Sequence, residues 1–395
     1  MQCEENKVNK LKIAIVHDFL VQYGGAERVL EVMAEMFPEA PIYTLLHDKE
    51  KMGDKFKNRE IITSYLQKFP KFLRKHYKWL LPFFMIAPET FDLREFDLVI
   101  SSTGAWSKGI VTRLNTVHIS YIHSPMRFAW ELKHGYIKGF FSGLLMSYVR
   151  MWDKLAAERP DYLIANSKYT QERIQKYYRR DSTVIYPPAC SCHSERNEEA
   201  KRLNEVKNPS VSNTNSSLNR SGSFVAATQD DSFFLIVSRL SPYKKVDLAV
   251  EAFNKLGLPL VIIGEGKQRK YLEKIAKDNI KILGFVKDSE LAQYYQNSRA
   301  FIFPADDDFG MTMIEAMSYG IPIIAYKKGG ALEIVQEGKA GELFEAQTPE
   351  VLADGVRRFI EKENDYKKED MMDRAREFSK ERFKREIGEF INKIL

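Results

Sequence analysis

Cysteine is nearly absent from this chain, with only Cys3, Cys190 and Cys192 in 395 residues. A disulfide framework needs more, and a zinc site needs ligands beyond the lone His193 beside the last two. Such usage is expected of a protein kept in a reducing, cytoplasmic setting. Also missing is any apolar run of membrane-spanning length, and the first residues are too polar for a secretory leader. No Gly-x-Gly-x-x-Gly follows the first expected strand, which disfavours a nicotinamide dinucleotide. The net charge of +6 permits an anionic partner. No stacking platform or nucleic-acid motif accompanies it, so nucleic acid is not expected.

What is present is apolar patterning sufficient for two cores. The length exceeds that at which single cores stop growing, and 44% of residues are hydrophobic. Strand and helix signals alternate, which argues α/β architecture with parallel sheets. Strands are expected at 11–17, 97–101, 117–122, 162–166 and 183–186, with a helix at 168–178, and Pro187-Pro188 ends a first domain spanning 1–188. Residues 189–231 are rich in Ser, Asn, Glu and Lys, nearly free of aromatics and without sustained period, as in a disordered linker or insert. A second domain is expected from 232 to 374, followed by a terminal helical segment, 375–395, with Phe383, Ile387, Phe390 and Ile394 at helical spacing.

The most informative stretch lies in the second domain. An apolar strand at 300–304 is followed by Asp307-Asp308-Phe309-Gly310-Met311, then by a helix at 311–319 closed by Gly320 and Pro322. Asp307 falls in the strand-to-helix loop and Glu315 inside the helix. In an open α/β sheet such loops are where ligands bind. Two acceptor-only carboxylates there suit pairs of hydroxyls, on a sugar and on a ribose. Upstream, a strand at 233–238 runs into Arg239 and Lys244, ahead of a helix at 246–256. A guanidinium fork and a compact ammonium together could neutralise a diphosphate.

Two N-terminal segments point the same way. Gly24-Gly25 stands at a strand-to-helix junction, where backbone N–H groups can approach a phosphate. His123 ends a strand and is followed by Ser124, Pro125 and Met126, which places an imidazole to donate to a sugar hydroxyl; the alternative is a structural histidine. The segment 65–86 carries Lys68, Lys71, Arg74, Lys75 and Lys78 and no acid, interleaved with aromatics. It suits an anionic membrane surface or a lipid-linked acceptor, and equally a half-buried amphipathic helix.

Arg239 with Lys244, and Asp307 with Glu315, resemble the donor site of the family 4 retaining glycosyltransferases of GT-B fold. The likeness continues through 261–266, 283–286 and 328–333, and 121–130 is similar to a block in bacterial O-antigen mannosyltransferases. One departure is Asp307, where the family carries a glutamate. The resemblance implies two Rossmann-like domains facing each other across a cleft, with the last helix, 375–395, returning to the first. It assigns Glu315 to the ribose, Arg239 and Lys244 to the diphosphate, and Asp307 with the 309–311 backbone to the sugar. Gly24, Gly25, Gly264 and Val286 join Phe309, Gly310 and Met311 in donor binding, His123 is catalytic, and His17, Arg127 and Trp130 line the acceptor side. It further implies a nucleotide-diphosphate sugar, with GDP-mannose preferred over a UDP-sugar, and a glycan or polyprenyl-diphosphate-linked acceptor. No cofactor or metal is implied, and cytoplasmic activity, possible at the inner face of a membrane, is expected. A nucleotide-sugar epimerase and a degenerate binding protein are the alternatives.

Overall fold

The computed structural model describes residues 11–75, 80–131, 142–189 and 232–395. They divide into two units: Met1–Pro188 together with Lys380–Leu395, and Ala189–Ser379.

The first unit is built on seven parallel strands, β1 (Ile13–Leu20), β2 (Ile42–His47), β3 (Ile61–Thr63), β4 (Leu98–Thr103), β5 (Val117–Ile122), β6 (Tyr162–Ala165) and β7 (Thr183–Val184). Their order is β3-β2-β1-β4-β5-β6-β7, so the direction of winding reverses between β1 and β4. The central strands are buried along nearly their whole length, as a sheet covered on both faces requires. Helices α1 (Gly25–Met36), α2 (Lys71–Lys75), α3 (Leu81–Ile86), α4 (Ser142–Ala156) and α5 (Lys168–Tyr178) supply much of the cover. The segment 65–86, a candidate single helix, is instead a 3-10 turn at Tyr65–Lys68 followed by α2 and α3; residues 76–79, with Lys78, fall outside the described residues.

The second unit repeats the plan with β8 (Phe233–Val237), β9 (Leu260–Ile263), β10 (Ile280–Leu283), β11 (Ser298–Phe303), β12 (Ile323–Tyr326) and β13 (Gly341–Phe344) in the order β10-β9-β8-β11-β12-β13. Its reversal falls between β8 and β11. Helices α6 (Val246–Leu256), α7 (Asp288–Gln296), α8 (Met311–Ser318), α9 (Pro349–Glu361) and α10 (Lys368–Arg376) accompany it. The core centres on Phe234, Phe253, Phe344 and Phe359.

The terminal helix, α11 (Lys380–Ile394), rejoins the first unit. It begins five residues later than the expected 375. Ala375 is buried as part of α10, and the ring of Phe378 packs edge-on against Phe309 at 5.6 Å, holding this stretch in the second unit. Beyond the break, Phe383, Ile387 and Ile391 are buried, Phe383 meets Tyr121 at 5.8 Å, and Lys380 and Lys384 pair with Glu35 at 2.7 and 2.9 Å. The expected insert, 189–231, lies outside the described residues except Ala189, whose N–H donates to the Phe378 carbonyl at 2.8 Å.

Candidate active site

In the second unit both charged loops leave the carboxyl ends of the strands that flank the reversal, the place where open α/β sheets bind ligands. After β8 the chain passes Arg239 and a 3-10 turn, Pro242–Lys244, before α6. After β11 it passes Asp307 and enters α8 through Gly310. The Lys244 ammonium forms an ion pair with Asp307 Oδ2, joining the two loops. Arg239 is exposed, and its guanidinium makes no hydrogen bond or ion pair with any described residue.

The Asp307 loop is held by its neighbours. Gly330 donates its N–H to the Asp307 carbonyl at 3.0 Å, Lys328 pairs with Asp306 at 2.8 Å, and Gln347 donates to the Pro304 carbonyl at 2.8 Å. The approach is too close for side chains. A Cβ on Gly329 would lie 2.3 Å from the Asp307 carbonyl oxygen, and one on Gly330 2.2 Å from that of Phe309. Phe309 is buried, its ring packed against Phe378 at 5.6 Å, so its side chain is not open to a ligand. Gly310 adopts φ 101°, a left-handed turn that a Cβ would disfavour.

Glu315 is 6% exposed and accepts a hydrogen bond from the Tyr295 hydroxyl at 3.2 Å. Tyr295, on α7, stacks on Tyr319 at 5.3 Å. This tyrosine was not singled out from the sequence, because it precedes Glu315 by a helix and a strand. Gly264, at the end of β9, has φ 146°, and a Cβ there would sit 1.9 Å from the Ser238 carbonyl oxygen, so it serves close packing of strand ends. Val286 is half-buried in the loop after β10.

In the first unit the same strand ends carry a chain of polar groups. Ser102 Oγ, at the end of β4, lies 3.2 Å from His17 Nδ1 and 2.8 Å from His123 Nε2. His17 Nε2 faces Glu27 at 3.7 Å, and the other oxygen of Glu27 accepts from the Gly24 N–H at 2.8 Å, capping α1. Gly24 and Gly25 thus stand at the start of α1, as the sequence indicates. Burial pushes the His123 imidazole down to about 4, with help from His17. Burial alone would raise Glu27, yet the hydrogen bond and charge of His17 and backbone N–H groups hold it below its ordinary value.

The chain couples proton positions. With His17 neutral and its proton on Nε2, facing Glu27, Ser102 donates to His17 and accepts from His123 Nε2–H, so His123 offers Nδ1 as an acceptor. With His17 doubly protonated the order inverts, and His123 offers an N–H. His17 itself is 2% exposed. Its ring nitrogens face Ser102 and Glu27 rather than open surface.

Asp18, next along β1, was not picked out from the sequence, although an acid inside the run Ile13–Leu20 can be buried only if it is well bonded. It accepts from the N–H groups of Gly104, Ala105, Trp106 and Ser107 at 2.7 to 2.9 Å, and from Thr103 Oγ1 at 3.1 Å. Burial opposes ionisation, but His17 and these donors keep its carboxyl below the usual range. Arg127 shares Glu131 with the buried Arg173, at 3.3 and 3.0 Å, and Arg173 also donates to Ser124 Oγ at 3.1 Å. Trp130 stacks on Tyr177 at 4.6 Å and donates from Nε1 to Asp153 at 2.7 Å. Asp153 also accepts from Tyr178 and pairs with the equally buried Lys108 at 2.6 Å. The polar atom of Trp130 is therefore committed to the fold.

Two parallel-sheet units of this winding define a GT-B fold. Residues 23–189 match Glycosyltransferase Family 4, and residues 223–378 match Glycosyl transferases group 1. An uncharacterised glycosyltransferase of Methanocaldococcus jannaschii is 24% identical over 94% of this chain and 93% of its own. O-antigen chain mannosyltransferase C of Escherichia coli is 20% identical over 80% of this chain and 79% of its own. The structure of Anabaena HepE in complex with UDP-glucose superposes with a TM-score of 0.66 at 19% identity, covering 96% of this chain and 99% of that one. This chain belongs to the group 1, family 4 glycosyltransferases.

Proposed function

We propose that the chain is a retaining, metal-independent mannosyltransferase. It would move mannose from GDP-mannose to a hydroxyl of a glycan or a polyprenyl-diphosphate-linked saccharide, in the cytoplasm at the inner face of a membrane. The observation that carries the donor assignment is the Lys244 to Asp307 ion pair, with Arg239 exposed in the same loop as Lys244 and Glu315 held by Tyr295. Unliganded, Lys244 and Asp307 satisfy each other. A nucleotide-diphosphate sugar supplies a better partner to each, phosphate oxygens for Lys244 and sugar hydroxyls for Asp307. Glu315, positioned by Tyr295, takes the ribose.

Negative charge grows on the leaving phosphate oxygen as the glycosidic bond breaks. Fixed cations at Arg239 and Lys244 therefore bind the transition state more strongly than the ground state. That supplies the role a metal would otherwise play. Attack on the face the phosphate leaves, with that phosphate accepting the acceptor's proton, retains configuration. His123 is assigned to a hydroxyl of the transferred sugar.

The likeness to the O-antigen mannosyltransferase supports mannose, and a UDP-sugar is the competing donor because HepE was solved with UDP-glucose. The test is a panel of GDP- and UDP-sugars, scored for binding and slow hydrolysis with EDTA present. GDP-mannose should bind selectively. Lys244→Ala should lower kcat/KM by about 100- to 1,000-fold, and Glu315→Gln should weaken donor binding with the fold retained. Binding of no donor, or Glu315→Gln acting like wild type, would remove the reading; selective UDP-sugar binding would replace the donor.

A further inference from the structure

Helix α4 carries apolar residues on an exposed side as well as on its buried side, where a surface helix ordinarily keeps its apolar residues to the buried stripe. Met146, Val149 and Trp152 turn inward, the first two buried, and yet Leu144, Tyr148, Met151 and Leu155 are 54 to 73% exposed. At a helical turn of 100° per residue these four fall within about 60° of arc, a continuous stripe about 16 Å long. The stripe has company. Trp106 stacks on Phe84 of α3 at 5.6 Å and meets Trp152 of α4 at 5.1 Å, so the two helices share one layer. On α3, Phe83 and Ile86 are 44 and 56% exposed.

The exposed charge described on this layer is mainly basic. Next to α3, through the contact of Phe69 with Phe83 at 5.8 Å, come exposed Lys68, Lys71 and Phe72. Arg150 and the exposed Lys154 flank the α4 stripe, and neither meets a carboxylate among the described residues. Of the acids here, Asp153 is buried against Lys108 and Glu89 is paired with Arg159 at 2.5 Å. Among the described residues of this layer, only Glu158, past the helix end, is an exposed acid without such a partner. No helix among the described residues is long and apolar enough to cross a membrane.

We propose that this face of the first unit, formed by α2, α3 and α4, docks on an anionic lipid bilayer. Apolar side chains of intermediate size enter the headgroup boundary while lysines and arginines meet lipid phosphates. A protein partner would be expected to bring carboxylates matched to individual cations. A bilayer needs only what is seen, an apolar stripe with basic flanks. The inference deepens the transferase reading by naming the surface that brings the enzyme to a lipid-linked acceptor. The sequence pointed to 65–86 alone, whereas α4 supplies the longer part.

The test uses the full chain, co-sedimented with vesicles of phosphatidylcholine alone or mixed with phosphatidylglycerol. Wild type should partition to the mixed vesicles, less so as salt rises. The exposed-stripe variant Leu144→Ser/Tyr148→Ser/Met151→Ser should bind at least about 10-fold more weakly. Lys68→Glu/Lys71→Glu should lose the preference for the anionic lipid. Donor binding, measured without vesicles, should be unchanged in both, which separates failure of this inference from failure of the transferase reading. Equal partition of the stripe variant, or no partition by wild type, overturns the proposal. So does a wild-type dimer that the stripe variant dissolves in the absence of vesicle binding, which would make the face an interface between copies.

Discussion

Two histidines bracket β5, and burial lowers both, His118 to about 3 and His123 to about 4. His118 is fully buried, its Nε2 2.9 Å from Ser101 Oγ, with Arg180 and Arg159 adding to the effect. The unfolded chain takes up a proton near 6.5 that the fold refuses, so this contribution is complete above pH 6.5 and is lost as pH falls toward 3. Between pH 7 and 5 the loss from His118 should be about 2 kcal/mol. His123 acts with the same sign, whereas the depressed carboxyls of Asp18 and Glu27 lose their contribution at lower pH, below the ordinary carboxylate range. Unfolding free energy measured by urea at both pH values should show the fall, and His118→Gln should reduce it. A flat profile in wild type would refute the assignment. At this scale the placement of Arg239, Lys244, Asp307 and Glu315 was legible, because they stand at fixed distances from strand ends. Ser102, Asp18 and Tyr295 were not. Ser102 meets His17 across 85 positions of chain, a pairing that strand order decides and no local pattern encodes.

Elements bounded by strong local signals fell where the sequence placed them: 117–122, 168–178 and 246–256 coincide with β5, α5 and α6. The start of α11 did not, since no Gly or Pro marks the break after α10, and Phe378 packing against Phe309 decides it. Contact between loops was equally hidden. Gly329 and Gly330 read as a turn, but their use is to let one loop lie against the backbone of another. Gly330 has an ordinary φ of −61°, so Gly330→Ala carries no dihedral strain and tests the contact alone. The added methyl meets backbone that cannot rotate away, at a cost of about 1 to 3 kcal/mol. The Asp307 loop should shift, weakening donor binding by about 2- to 10-fold if half of that cost falls on the bound state. Unchanged donor affinity in a folded Gly330→Ala protein would show that the loop position does not matter.

On the scale of the whole molecule, two α/β cores were legible from length and alternation, but the ownership of the ends was not visible in composition. The first unit is discontinuous, with α11 completing it after the second unit has intervened. Phe383, Ile387 and Ile391 are nearly inaccessible there, each worth about 1.5 to 3 kcal/mol on burial. Removing 380–395 should therefore take a large part of a domain's usual 5 to 15 kcal/mol. Calorimetry should show the transition of the first unit lost or moved far down, and that of the second retained. Both transitions surviving in place would argue that α11 contributes little. The same discontinuity sets a clock on synthesis. A ribosome must add all of Ala189–Ser379, at about 5 to 20 residues per second, before α11 is made. For about 10 to 40 s the nascent first unit carries an uncovered surface around Tyr121 and α1, a window in which a chaperone has something to hold and a premature stop leaves a protein ready for degradation.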